Sequence, residues 1–301
     1  MPTRTLSPRR HHGHRRIDTH ARARSRPRTR PAFAAALGLS LCALAAGVTA
    51  PAPARAVVGG GNAPSGSYPF MVSLRENGYP YCGGTLVAAQ WVLTAAHCAT
   101  GRTTTELAAV VDQVQVAGTG GEVRGVDRIV VDPSYDPATE DFDAALLHLS
   151  ARTTGIAAPP LVRSGDQAPE AAGILATVIG YGSVDPQPVE GGGPVAYPAA
   201  LQQANVAIVG DQQCAAVFNG RDEPAVHTAL MLCAGGDGRH DACVGDSGGP
   251  LLVPGDTPGS WTDVAITSWG AGCAVAGVPG VYTRLADPQI AAFVSGTVAG
   301  G

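Results

Sequence analysis

The sequence predicts an all-β fold, a sandwich or a barrel. Three observations lead there: short runs of β-branched and aromatic residues, turn residues between the runs, and little helical periodicity. The 40 glycines and 24 prolines among 301 residues supply many tight turns.

The first strand is read at Tyr68–Leu74. Asn77-Gly78 follows, a strong hairpin signal because both residues tolerate positive φ. Tyr81–Val87 is then the return strand, and Gln90–Thr94 a third. Further strands are expected at Val114–Val116, Asp127–Val131, Ala144–Leu149, Gly173–Ile179 and Leu201–Val209. One helix closes the chain. Asp287 caps it, Pro288 takes its first position, and Ile290, Phe293, Val294 and Val298 share one face. Ser183–Ala199, rich in proline and glycine, reads as an exposed acidic loop open to proteases.

The first 56 residues read as something other than fold. Residues 1–31 hold ten arginines and four of the eight histidines. An apolar run, Ala32–Val48, comes next, and the stretch ends Ala54-Arg55-Ala56. A basic segment, a short apolar segment and an A-x-A site describe a secretory signal peptide cut before Val57. The apolar run is short for a membrane span. Residues 57–301 then carry nine arginines, no lysine and 23 acids, a net charge of −14. That balance argues against nucleic-acid or anionic-membrane partners.

Cysteine usage agrees with export. Cys42 leaves with the leader, and six remain: Cys82, Cys98, Cys214, Cys233, Cys243 and Cys273. An even number in a secreted chain suggests three disulfides, for which fifteen pairings exist. No C-x-x-C pair is present, which argues against a zinc site. No acidic loop is specific enough for calcium, so neither metal nor cofactor is expected.

The chemistry centres on Gly245-Asp246-Ser247-Gly248-Gly249. A serine hydroxyl is a poor nucleophile until a base takes its proton and donors stabilise the oxyanion. The backbone N–H groups of Gly245 and Ser247 are the candidate donors. The same residues match the G-x-S-x-G elbow of α/β-hydrolases, but there a histidine follows the serine. Here the last histidine is His240, so the base lies upstream. His97, in Thr94-Ala95-Ala96-His97-Cys98, is the candidate base. Asp143, at the head of the apolar run Ala144–Leu147, is the candidate acid, with Asp141 two residues away as the competing choice. A carboxylate entering a buried run needs a partner, and an imidazole N–H suits it. His148, His227 and His240 read as structural or surface residues.

Together, Thr94–Cys98, Asp143–Leu147, Gly245–Pro250, Ser268-Trp269-Gly270 and Pro279–Thr283 resemble the trypsin/chymotrypsin family of serine endopeptidases. The motifs come in the family's order across almost all of Val57–Gly301. Secretion and the glycine-rich style suggest a bacterial member. The resemblance implies two six-stranded β-barrels, 57–160 and 161–301, with the site between them. It implies His97 as base, Asp143 as its partner and Ser247 as nucleophile. It pairs Cys82 with Cys98, Cys214 with Cys233 and Cys243 with Cys273. Asp241 matches the floor of the specificity pocket and Gly270 and Gly280 its walls, with Ser268 and Trp269 as further substrate-binding residues. Val57 matches the processed N-terminus, whose ammonium pairs with Asp246. The expected protein is a monomeric, secreted enzyme that cleaves proteins or peptides after Arg or Lys, with protein inhibitors as further partners. Ala242 stands where a serine often lies, which tilts preference toward Arg. A catalytically inert binding module is the competing reading; such proteins usually lack a triad residue, and all three are present.

Overall fold

The computed structural model describes residues 57–301 apart from 117, 119, 186–196, 220 and 222. The signal peptide expected over 1–56 lies outside the described residues. The described chain opens with the short strand β1 (Gly61–Asn62). Six strands then close a first antiparallel barrel. They are β2 (Met71–Glu76), β3 (Tyr79–Ala88), β4 (Trp91–Thr94), β5 (Leu107–Val111), β6 (Glu122–Val131) and β7 (Ala145–Leu149), in the order β2-β3-β4-β7-β6-β5.

A second ring is built from β8 (Leu175–Gly180), β9 (Gln202–Val209), β10 (Met231–Ala234), β11 (Pro250–Pro254), β12 (Trp261–Trp269) and β13 (Gly280–Arg284). Its order is β9-β10-β13-β12-β11-β8, and β8 pairs back with β9 to close it. Closure leaves no unpaired strand edge in either ring. The fold is thus mostly β, two closed six-stranded barrels. Among the described residues three α-helices accompany them, α1 (Ala96–Ala99), α2 (Asp211–Phe218) and α3 (Pro288–Ala299), with one 3-10 turn at Ala168–Glu170.

The sequence pattern explains the clearest elements. In β9, Gln202, Ala204, Val206 and Ile208 point inward while their neighbours face out, the period-two alternation of a half-buried strand. The β2–β3 hairpin turns at Asn77 and Gly78, both with positive φ. α3 begins where Asp287 accepts the N–H groups of Gln289 and Ile290 at 2.9 and 3.0 Å. It buries Ile290 and Val294.

Other elements differ from the sequence reading. Val114–Val116 forms no strand; Gln115 makes one isolated bridge to Ala200. The strand lies earlier, at β5, and the run ends at Asp112, whose φ of +56° breaks the extended conformation. β10 to β13 carry no sequence expectation. β10 reads Met-Leu-Cys-Ala with no β-branched residue, and β11 starts on a proline. α2 starts after Gly210 with no side-chain cap, so it lacks the usual start signal. The loop expected from Ser183 to Ala199 is not exposed at its start, since Ser183 and Val184 are buried; residues 186–196 lie outside the described residues. β1 pairs with β9, so the start of the segment assigned to the first barrel is hydrogen-bonded to the second.

Close contacts join the barrels beside the Ser247 loop. Gly83 N–H donates to Ser247 O at 2.7 Å. At Gly248 (φ +82°) a Cβ would lie 2.2 Å from Thr94 Oγ1, so only glycine fits. These contacts hold the loop carrying Ser247 against the loop carrying His97.

Candidate active site

His97 sits on the single turn α1, immediately after β4. A disulfide from Cys98 to Cys82 staples that turn to β3, and Tyr81 Oη–H donates to Cys98 O at 2.8 Å. Two further disulfides join Cys214 to Cys233 and Cys243 to Cys273, the pairs that the resemblance implies.

Asp143 is fully buried and held on all sides. Its Oδ1 accepts the His97 backbone N–H at 2.9 Å. Its Oδ2 lies 2.8 Å from His97 Nδ1 and 2.5 Å from the Ser268 hydroxyl, which donates to it. Thr283 Oγ1 donates to the Asp143 carbonyl at 2.9 Å. An ionised carboxylate only accepts, so Nδ1 carries the proton and Nε2 keeps its lone pair. Burial pulls the imidazole pKa down. The hydrogen bond and charge of Asp143, joined by the charge of Glu140, outweigh burial and the opposing Arg102, and His97 lies above its ordinary value. Asp141, the competing acid, is engaged elsewhere: its carboxylate is 2.7 Å from His227 Nδ1. His148 and His240 likewise sit beside Asp127 and Asp237.

Ser247 lies in the loop 241–249, tied by Asp246 N–H to Cys243 O at 2.9 Å and Gly248 N–H to Thr267 O at 2.7 Å. Among the described residues, no hydrogen bond joins Ser247 Oγ to His97. Catalytic hydrogen bonds are commonly loose without substrate. Among the described residues the N–H groups of Gly245 and Ser247 also donate to no backbone acceptor.

A cavity of about 200 Å³ opens beside Ser247, lined by Asp241, Ala242, Trp269, Gly270, Gly280 and Tyr282 among others. Asp241 is 1% exposed; its Oδ2 accepts Ala274 N–H at 2.9 Å, and among the described residues its Oδ1 has no partner. Burial pushes its carboxyl to about 7, against two backbone donors and aided by the charges of Asp246 and Asp237. A Cβ on Gly280 would lie 3.0 Å from Asp241 Oδ1 and narrow the way to it. Ser268, expected to bind substrate, lines the cavity and also donates to Asp143.

Asp246 accepts Gly182 N–H at 2.8 Å and Cys243 N–H at 2.9 Å, and burial pushes it to about 7. Val57 is fully buried. Among the described residues no hydrogen bond joins it to Asp246. Its nitrogen here is a peptide amide following Ala56, which carries no charge to offer.

Two described clusters bring three metal-ligand atoms within 4.8 Å: Cys82, His97, Cys98, and His97, Glu140, Asp143. In the first the two sulfurs are bonded to each other, and in the second Nδ1 is already engaged by Asp143. A larger groove of about 500 Å³ between α3 and residues 161–164 has no titratable lining residue. Among the described residues no helix is long and apolar enough to cross a membrane. The sequence reading missed Thr283, Tyr135 and Glu140 near the site; only Thr283 falls in a quoted motif.

A sequence model of the family described as Trypsin matches residues 57–293. The chain is 39% identical over 234 residues to Serine protease 56 of Mus musculus, covering 76% of this chain and 37% of that protein. It is 36% identical over 241 residues to Transmembrane protease serine 9 of Rattus norvegicus, covering 76% and 21%. Ovochymase-2 of Mus musculus is 32% identical over 244 residues, covering 76% and 39%. The chain thus spans well under half the length of these relatives. All three are mammalian, and they lend no support to the bacterial origin expected from the sequence.

Proposed function

Because the chain belongs to the trypsin family of serine endopeptidases, we propose that it hydrolyses peptide bonds after arginine, and less readily lysine, by acyl transfer to Ser247. The observation that carries this reading is Asp241, a buried carboxylate that lines the cavity beside the nucleophile and has, among the described residues, one oxygen without a hydrogen-bond partner. A buried charge needs a counter-charge, and a guanidinium provides one with matching geometry. Ala242 offers no hydroxyl to an ammonium, which favours Arg over Lys.

In the proposed cycle His97 Nε2 takes the Ser247 proton as Oγ attacks the substrate carbonyl carbon. Asp143 holds the Nδ1–H and stabilises the imidazolium. The N–H groups of Gly245 and Ser247 receive the oxyanion. His97 then protonates the leaving amine, the peptide bond breaks, and water repeats the sequence to free Ser247. Trp269 and Gly270 flank the arriving substrate. Removal of residues 1–56 would give Val57 a charged ammonium for Asp246, which now has only neutral donors. The proposed product is a secreted monomer, acting on proteins or peptides and open to protein inhibitors.

An arginine ester in excess should give a burst of alcohol equal to the enzyme present, with an acyl mass on Ser247. Ser247→Ala should give neither. Turnover surviving in Ser247→Ala would overturn the nucleophile, and no turnover by protein beginning at Val57 would leave a binding module. Equal kcat/KM on matched Arg and Lys peptides would remove the role given to Ala242.

A further inference from the structure

One charged side chain beside the imidazole has no part in the cycle above. A carboxylate oxygen of Glu140, one of Asp143 and a ring nitrogen of His97 all lie within 4.8 Å of one another. Among the described residues Glu140 makes no hydrogen bond to His97, so it acts on the ring through its charge. The carboxylate is aimed: Tyr135 Oη–H donates to its Oε2 at 2.9 Å.

The backbone fixes Glu140 as firmly. Its φ of +58° is a conformation that L-residues with a side chain rarely adopt. Such strain persists where neighbours over-determine it, commonly at functional sites. Here Glu140 N–H donates to Asp136 O at 2.8 Å, and Asp136 N–H to Asp141 O at 3.1 Å. On the far side, Asp141 is held by His227 and Asp143 by His97.

We propose that Glu140 is a positioning residue for the general base, a second negative charge on His97 that sets the pH below which the base is lost. This rests on reading His97 as that base. The charged groups facing His97 are Asp143 and Glu140, with Arg102 opposing them. Those facing Glu140 are Asp143, His97, Asp136 and the Tyr135 hydroxyl. Burial, then Asp143, pushes the Glu140 carboxyl above its usual range, while Tyr135 and His97 pull it back. As Glu140 ionises, the imidazole holds its proton more tightly, so the two titrate as a coupled pair. The charge also favours the imidazolium formed as Ser247 attacks.

The sign follows. Removing the charge frees the base at lower pH and weakens it. In Glu140→Gln the acid limb of kcat/KM should move down by about 0.5 to 1 pH unit. The plateau should fall by about two- to threefold. Glu140→Gly, which also relieves the positive φ, should shift the limb equally, and Glu140→Asp, which keeps the charge, should restore much of the original profile. The His97 ring should titrate lower by the same amount in NMR of the full chain carrying Ser247→Ala, with its signal assigned by its loss in His97→Ala. An acid limb and a His97 titration both unmoved in Glu140→Gln would overturn the proposal while leaving the protease reading intact. A lowered His97 titration in a protein that cleaves no peptide would keep the coupling and sink the protease reading.

Discussion

Asp143 and Asp241 are both buried carboxylates of one site, and their surroundings are opposite. Asp143 accepts three hydrogen bonds on its two oxygens, from the His97 backbone and ring and from Ser268. Asp241 lines the cavity, and among the described residues its Oδ1 has no partner. A satisfied charge fixes geometry, since each bond directs a neighbour. An unsatisfied one next to a cavity has affinity in reserve for a cation that arrives from outside. Asp263, between the barrels, gives a third case. It accepts from Thr85 at 3.0 Å, and among the described residues its Oδ1 has no partner. Burial pushes it to about 8, so near neutrality it keeps its proton.

The largest expected effect separates positioning from binding. Asp143→Asn presents an NH2 group to Nδ1 and inverts the tautomer, so kcat/KM near neutrality should fall about ten thousandfold. Affinity for a guanidinium inhibitor should stay unchanged, because Asp241 is untouched. A loss below tenfold, or a parallel loss of inhibitor affinity, would break the distinction.

The second effect belongs to Asp241. A guanidinium binds the carboxylate and not the carboxylic acid, so it must displace a proton below about 7. Affinity of a guanidinium inhibitor, followed by calorimetry, should fall by about tenfold per pH unit below that value and level off above it. A neutral apolar inhibitor should show no such slope. A flat profile for the guanidinium would mean that Asp241 is not the group it meets.

The smallest effect is on stability. Asp263 titrates at about 8 when folded, against an ordinary 3.8. The folded chain therefore holds this proton through that window. The stability it contributes is full below the lower value and is lost as pH rises through the upper one. Compared with the parent by denaturant unfolding, Asp263→Asn should gain stability as pH rises and exceed the parent above about 8. A variant less stable than its parent at every pH would contradict this.

How much was legible depends on whether the signal was local. The hairpin at Asn77-Gly78 and the capped start of α3 carry their own chemistry, and both appear where the sequence put them. His97, Asp143 and Asp241 could be singled out as candidates from their neighbours, and the structure puts the first two 2.8 Å apart and the third in the cavity lining. β10 and α2 could not, because packing rather than propensity or capping decides them. Glu140 shows the same limit at the site. Nothing in Thr139-Glu140-Asp141 marks an acid facing the imidazole; only the turn held by Asp136 and Tyr135 brings it there. Asp141 and Asp143 were hard to separate for the same reason, until one faced His227 and the other His97.

The most direct test of the contrast is kcat/KM for two matched peptides, one ending in Arg and one in Phe, with the parent and with Asp241→Asn. The parent should favour Arg by about a hundredfold or more. The variant should lose that preference while still cleaving, since the His97–Asp143 pair is intact. A parent that favours Phe, or a preference for Arg that survives in the variant, would contradict the account.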